Sequence, residues 1–179
     1  MKKRAIPMGV AVAMVALLAW PAEAADFRAT GVQRTVIRYH DGGIPLSTVN
    51  CTPTTFDVVV RAFVALTDTT TSYTGPIRFT GSGWSWCEDT TQGFGGLDMS
   101  ATGTNRAGHA IDCPTLTGGW LRPQLLIEMT GKGACSIDGV PIGDIWFVLD
   151  GVWTPVKPLG GVTGAITKAR STGHISTIV

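Results

Sequence analysis

The chain has 179 residues, of which 44% are hydrophobic and only 15% charged, with 14 basic residues against 13 acidic ones. A balance this close to neutrality gives no long-range field to draw phosphate backbones or an anionic membrane surface, so nucleic-acid binding is not expected. A chain of this length suits one domain that buries roughly 70% of its unfolded surface, which makes any disulfide a supplement to the core.

Residues 1–24 begin with Lys2, Lys3 and Arg4, continue through an apolar run from Ile6 to Trp20, and close on Ala22-Glu23-Ala24. This is the layout of a secretory signal peptide, with an apolar run shorter than the roughly 20 residues of a membrane span. Cleavage after it starts the mature protein at Ala25 or Asp26. Losing Lys2, Lys3, Arg4 and Glu23 leaves 11 basic residues against 12 acidic. Residues 25–179 then form one domain with no second apolar stretch long enough to span a bilayer, secreted to the exterior or to a periplasm.

Beyond residue 25 the chain is rich in Thr, Val, Ile and Gly, and turn residues recur about every ten positions, the rhythm of antiparallel β structure. Strands are expected at 30–40, 55–67, 76–87, 97–104, 108–113, 121–130, 133–138 and 143–153, with two more between 161 and 179. Ten short strands need two packed layers or a closed barrel, and an antiparallel β-sandwich is the leading expectation, with a β-barrel as the alternative. Reversals are expected in DTTTSY at 68–73, at Asn105 to Gly108, at Asp138-Gly139 and at Ser171 to His174. The stretch TPVKPLGG, 154–161, reads as a crossover or loop.

Cys51, Cys87, Cys113 and Cys135 are an even number of cysteines behind a secretion signal, which reads as two disulfides. Without a C-x-x-C pair, zinc is not expected, and no motif specifies a metal or a cofactor. In a hairpin reversing at 68–73, residues whose numbers add to about 140 face each other, which places Cys51 near Cys87 and favours the pairs Cys51 with Cys87 and Cys113 with Cys135.

Trp84 and Trp86 sit in FTGSGWSWC, 79–87. Alternation puts Ile77, Phe79, Gly81, Gly83, Ser85 and Cys87 on the core face and Arg78, Thr80, Ser82, Trp84 and Trp86 on the other. Two indoles on a polar sheet face form a flat apolar strip able to stack on sugar rings or pack on a partner protein, provided that the loop Gly93-Phe94-Gly95-Gly96 does not fold back over them. Trp120, Trp146 and Trp153 read as core or rim residues, with Trp146 and Trp153 on opposite faces.

No residue emerges as catalytic. His40 beside Asp41, or His109 with Asp112, allows a triad only on paper, and Gly81-Ser82-Gly83 sits within a strand and not at a nucleophile elbow. Glu88 and Asp89 are adjacent, point to opposite faces of a strand and read as surface turn residues.

The signal peptide, FTGSGWSWC (79–87), SATGTNRAGHAIDC (100–113) and GKGACSIDGVPIGDIWFVLDGVW (131–153) resemble the small uncharacterised secreted proteins of actinobacteria. That resemblance implies a β-sandwich and brings no site residue with it. The expected function is non-catalytic, an extracellular or envelope interaction protein meeting a polysaccharide or an extracellular protein. The alternatives are a carbohydrate-binding module using Trp84 and Trp86, and a secreted hydrolase.

Overall fold

The structure is a computed structural model in which residues 26–40, 43–44, 53–68, 70–156 and 165–178 are described. Eight antiparallel strands, β1 (Arg28–Tyr39), β2 (Thr55–Thr67), β3 (Ser72–Glu88), β4 (Gln92–Thr104), β5 (Ala110–Pro123), β6 (Leu126–Ile137), β7 (Val140–Val156) and β8 (Lys168–Thr177), each pair with the next in the chain. β8 returns to β1, joining Thr30 with Ser176 and Arg38 with Lys168, and the meander closes into a barrel.

Strict alternation explains why the sheet curls on itself. In β2, Phe56, Val58, Val60, Ala62, Val64 and Leu66 all point inward and are buried. Most other strands contribute a similar face, though β1 and β8 also turn Gln33, Thr35 and Ser171 inward, where they hydrogen-bond to one another, and eight strands enclose an interior that side chains can just fill. The filling includes several aromatic contacts. Phe79 meets Phe147 at 5.2 Å between ring centroids, and Phe56 bridges Tyr39 and Trp120 at 5.8 and 5.3 Å, all three contacts edge to face. Such pairs add about 0.5–1.5 kcal/mol beyond the area they bury. Charged residues stand mainly on the outer wall, the reverse of a lipid-facing barrel, whose outer band is apolar. Among the described residues, no helix is long and apolar enough to cross a membrane.

The expected sandwich of ten strands is thus corrected to one barrel of eight, and the reason lies in glycines. Gly118-Gly119, Gly131 and Gly133 lie inside β5 and β6, which run unbroken where shorter strands were expected. A Cβ on Gly118 would stand 1.9 Å from the Thr130 carbonyl oxygen, so glycine here permits close approach of neighbouring strands and makes no turn. The same holds at the expected reversal Ser171 to His174, which is interior to β8. Only one strand of the expected closing hairpin is described, and residues 157–164 of the preceding stretch lie outside the described residues.

Other turns fall where expected. β2 and β3 pair from Thr55 with Trp84 to Thr67 with Ser72. Asp138 and Gly139 both have positive φ, 53° and 77°, as a two-residue hairpin turn requires.

Cys113 and Cys135 form a disulfide between β5 and β6. It spans the interruption of that ladder, between the pairs Asp112 with Ser136 and Thr117 with Lys132. Pro114, next to Cys113, has no N–H to give to the ladder there, so a covalent link stands where hydrogen bonding lapses. Cys87 is also disulfide-bonded, but the expected pairing with Cys51 lies outside the described residues, as does the signal segment 1–25.

Candidate functional site: an aromatic groove on the outer wall

The outer face of β3 carries Arg78, Thr80, Ser82, Trp84 and Trp86 in line, as alternation requires. Trp84 is 42% exposed and Trp86 66% exposed. Gly93 to Gly96 do not fold over them, because they belong to β4 and pair alongside β3. The two indoles lie 5.2 Å apart at 78°, so they form a corner and not the flat strip expected from the sequence.

Directly across the sheet from Trp84 come Gly96 on β4, Gly119 on β5 and Thr130 on β6. This row of small residues is the floor of a groove of about 390 Å³ whose sides include Trp86, Phe94, Leu121 and Glu128. The Trp84 ring lies over Gly96, where a Cβ would stand 2.6 Å from the indole. Glycine at 96 is therefore what lets the ring lie down. From inside the barrel, the Trp120 indole N–H donates to the Trp84 carbonyl at 3.2 Å and ties the site to the core. Phe94 and Leu121 are 47% and 52% exposed, which extends the apolar wall, while Glu128 offers a carboxylate on the far side and the Thr130 hydroxyl in the floor is held by the Gly119 carbonyl at 3.2 Å.

A second constellation escaped the sequence. Glu88 and Asp89, expected as surface turn residues, are buried, and so is Arg122. A bulge between Ser85 and Cys87 leaves Trp86 out of register and turns Glu88 into the barrel. There Tyr39 Oη and Thr54 Oγ1 each donate to Glu88 at 2.9 Å, and Arg122 Nε stands 3.7 Å from Oε1. Burial pushes the Glu88 carboxyl up to about 7, outweighing the opposing effects of Thr54, Arg122 and Tyr39. Burial, with Glu88 close by, also raises Tyr39 well above the usual phenol range.

Arg122 donates to the backbone carbonyls of Asp89, Thr90, Gln92 and Gln124, gathering the β3–β4 and β5–β6 turns at one mouth of the barrel. Its guanidinium stacks 4.3 Å over the Trp153 ring. Asp89 accepts from the backbone N–H groups of Thr91 and Gln92, closing the β3–β4 turn. With Glu88 and Arg122 wholly enclosed, these residues organise the mouth and present no carboxylate to the groove.

The histidines do not assemble the paper triads. His109 meets Asp138 at 2.6 Å and not Asp112, while His40 pairs with Asp57 at 3.0 Å and Asp41 lies outside the described residues. Trp153 and Trp120 are buried and Trp146 is exposed, so Trp146 and Trp153 occupy opposite faces. Among the described residues, no group of three or more His, Cys, Asp or Glu could hold a metal ion.

Charge on the outer wall is sharply divided. β4 to β7 carry the exposed acids Asp98, Asp112, Glu128, Asp144 and Asp150 against one exposed cation, Lys132, whereas β8, β1, β2 and β3 carry the arginines. The fold and groove together define a closed antiparallel barrel with an aromatic site on its wall. Compared with known proteins, the chain matches no family model, no curated protein and no solved structure.

Proposed function

We propose that this chain is a secreted, non-catalytic binding protein that holds a carbohydrate in the Trp84/Trp86 groove. The observation that carries the reading is the exposure of two adjacent indoles beside a floor kept clear by Gly96 and Gly119. A sugar ring presents an apolar C–H face, which stacks on Trp84, and hydroxyls, which can donate to the exposed Glu128 carboxylate on the groove wall. The signal-peptide reading of residues 1–24 supports action outside the cytoplasm. A hydrolytic reading has less support, since Glu88, the carboxyl raised furthest, is sealed inside the barrel. The 78° angle between the indoles favours a second reading, in which the corner grips a protruding side chain of an extracellular protein.

The test is retention of the purified protein on cellulose, chitin, xylan and peptidoglycan, beside a Trp84→Ala/Trp86→Ala variant of unchanged melting temperature. Retention that the variant loses supports the carbohydrate reading and identifies the polymer. Absence of retention on all four, with a protein partner cross-linked through the groove, moves the site to the second reading.

A further inference from the structure

The near-neutral balance of the whole chain conceals a concentration of positive charge on the opposite wall. Arg34 on β1 lies directly across from Arg61 on β2, and Arg61 directly across from Arg78 on β3. Three arginines therefore stand side by side on three adjacent strands, with Cβ atoms about 5 Å apart at each step. Further along β1 from Arg34, Val36 faces Arg170 and Arg38 faces Lys168 across the β1–β8 seam. All six cations border one concavity of about 790 Å³, in which Asp57, directly across from Arg38, is the only carboxylate among the described residues. That carboxylate is engaged by His40 at 3.0 Å. None of the six cations makes an ion pair among the described residues.

Like charges placed directly opposite on a sheet destabilise it, so a ladder of this kind carries a folding cost. The acids that could have relieved it, Asp98, Asp112, Glu128, Asp144 and Asp150, stand instead on β4 to β7. We infer that this cationic groove is a binding site for an acidic polysaccharide, whose carboxylates or sulfates the arginines neutralise.

Chemistry narrows the ligand. Five of the six cations are arginines, whose planar forks match carboxylate and sulfate oxygens two at a time. The step between neighbouring arginines is about the length of one sugar ring, so successive acidic sugars meet successive side chains. None of the described lining residues is aromatic, which leaves them without the stacking platform that single-stranded nucleic acids use. Its hollow form also suits a chain laid along it better than the flat surface of a bilayer. The site is separate from the aromatic groove: Trp84 stands six positions beyond Arg78 along β3, about 20 Å at strand spacing.

The experiment measures affinity of the mature protein for heparin and polygalacturonate, with neutral dextran, a DNA duplex of similar total charge and phosphatidylserine vesicles as comparisons. An Arg34→Gln/Arg61→Gln variant and the Trp84→Ala/Trp86→Ala variant are measured in parallel. The expected result is binding to one or both acidic glycans that weakens steeply with added salt, falls at least tenfold in the arginine variant and is unchanged in the tryptophan variant. The arginine variant should melt at the same temperature as the parent or higher, because repulsion is relieved, which separates loss of binding from loss of fold. If that variant fails to fold, Arg78→Gln alone replaces it, with a severalfold loss expected. Absence of glycan binding at low salt, equal or tighter binding to the duplex or the vesicles, or full binding by the arginine variant would each overturn the proposal.

Discussion

Arg122 and Glu88 stand side by side within the barrel, Nε to Oε1 3.7 Å, with neither side chain exposed to solvent. The arginine is the greater structural commitment, because four backbone carbonyls from two turns depend on it. Arg122→Met leaves those carbonyls without their donor and Glu88 without a neighbouring cation. Unfolding in urea should show a loss of at least about 3 kcal/mol, because each buried carbonyl left without a donor costs about 1–3 kcal/mol. A loss below about 1 kcal/mol would mean that the mouth of the barrel holds without its arginine.

Glu88 gives the fold an acid preference. Its carboxyl sits at about 7 in the folded chain against an ordinary value of 4.5, so the folded state holds a proton that the unfolded chain releases. The sign follows: this contribution is fully present below pH about 4.5 and is lost as pH rises towards 7, about 3 kcal/mol over the whole interval. Urea midpoints measured between pH 4.5 and 7.5 should therefore decline in the wild type more steeply than in Glu88→Gln. Parallel profiles would show that Glu88 is ionised in the folded protein throughout.

Removing the disulfide should loosen one side of the barrel. Cys113 and Cys135 are separated by 22 positions, and closing a loop of that size is worth about 3 kcal/mol on the chain-entropy account. Cys113→Ala/Cys135→Ala should lower Tm by about 10 °C in a domain of this size. Hydrogen exchange should rise first at the amides of Thr115 and Leu116 and their β6 neighbours, where the ladder is interrupted. Uniform exchange across the barrel would place the effect in the unfolded chain alone.

Gly96→Val probes the aromatic groove without touching an indole. The new side chain would occupy the space over which Trp84 lies. Trp84 should be forced outward, with increased acrylamide quenching of tryptophan fluorescence, loss of any polysaccharide retention and a Tm within a few degrees of the parent. Unchanged quenching would show that the ring has room to spare.

How far the sequence reached is best seen along β3. The polar run at 68–73 and the strict alternation on either side of it were enough to set the β2–β3 register and to put Trp84 and Trp86 on the outer face. The same parity failed two residues later, because the bulge after Ser85 inverts facing, and nothing in the letters marks a bulge; hence Glu88 was expected outside and lies inside. Arg122 was hidden for a related reason: its importance arises from turns that two separate hairpins bring together. The number of strands was lost to glycine, which signals a reversal in one place and close strand contact in another. The angle between the indoles depends on Gly96, a residue of the neighbouring strand. The Arg61–Arg78 pair was implicit in the expected β2–β3 register, but summing charge over the whole chain averaged the cationic wall against the acidic one.

Closure of the ring has one more consequence. Each of the eight described strands has a hydrogen-bonded neighbour on both sides, from Thr30 with Ser176 around to Phe147 with Thr177. None of these eight strands offers an unpaired edge to an incoming peptide, so recognition by β-augmentation is closed to this wall. For the same reason the barrel lacks the template on which neighbouring molecules stack into fibrils, and its wall is left to meet other molecules through side chains alone.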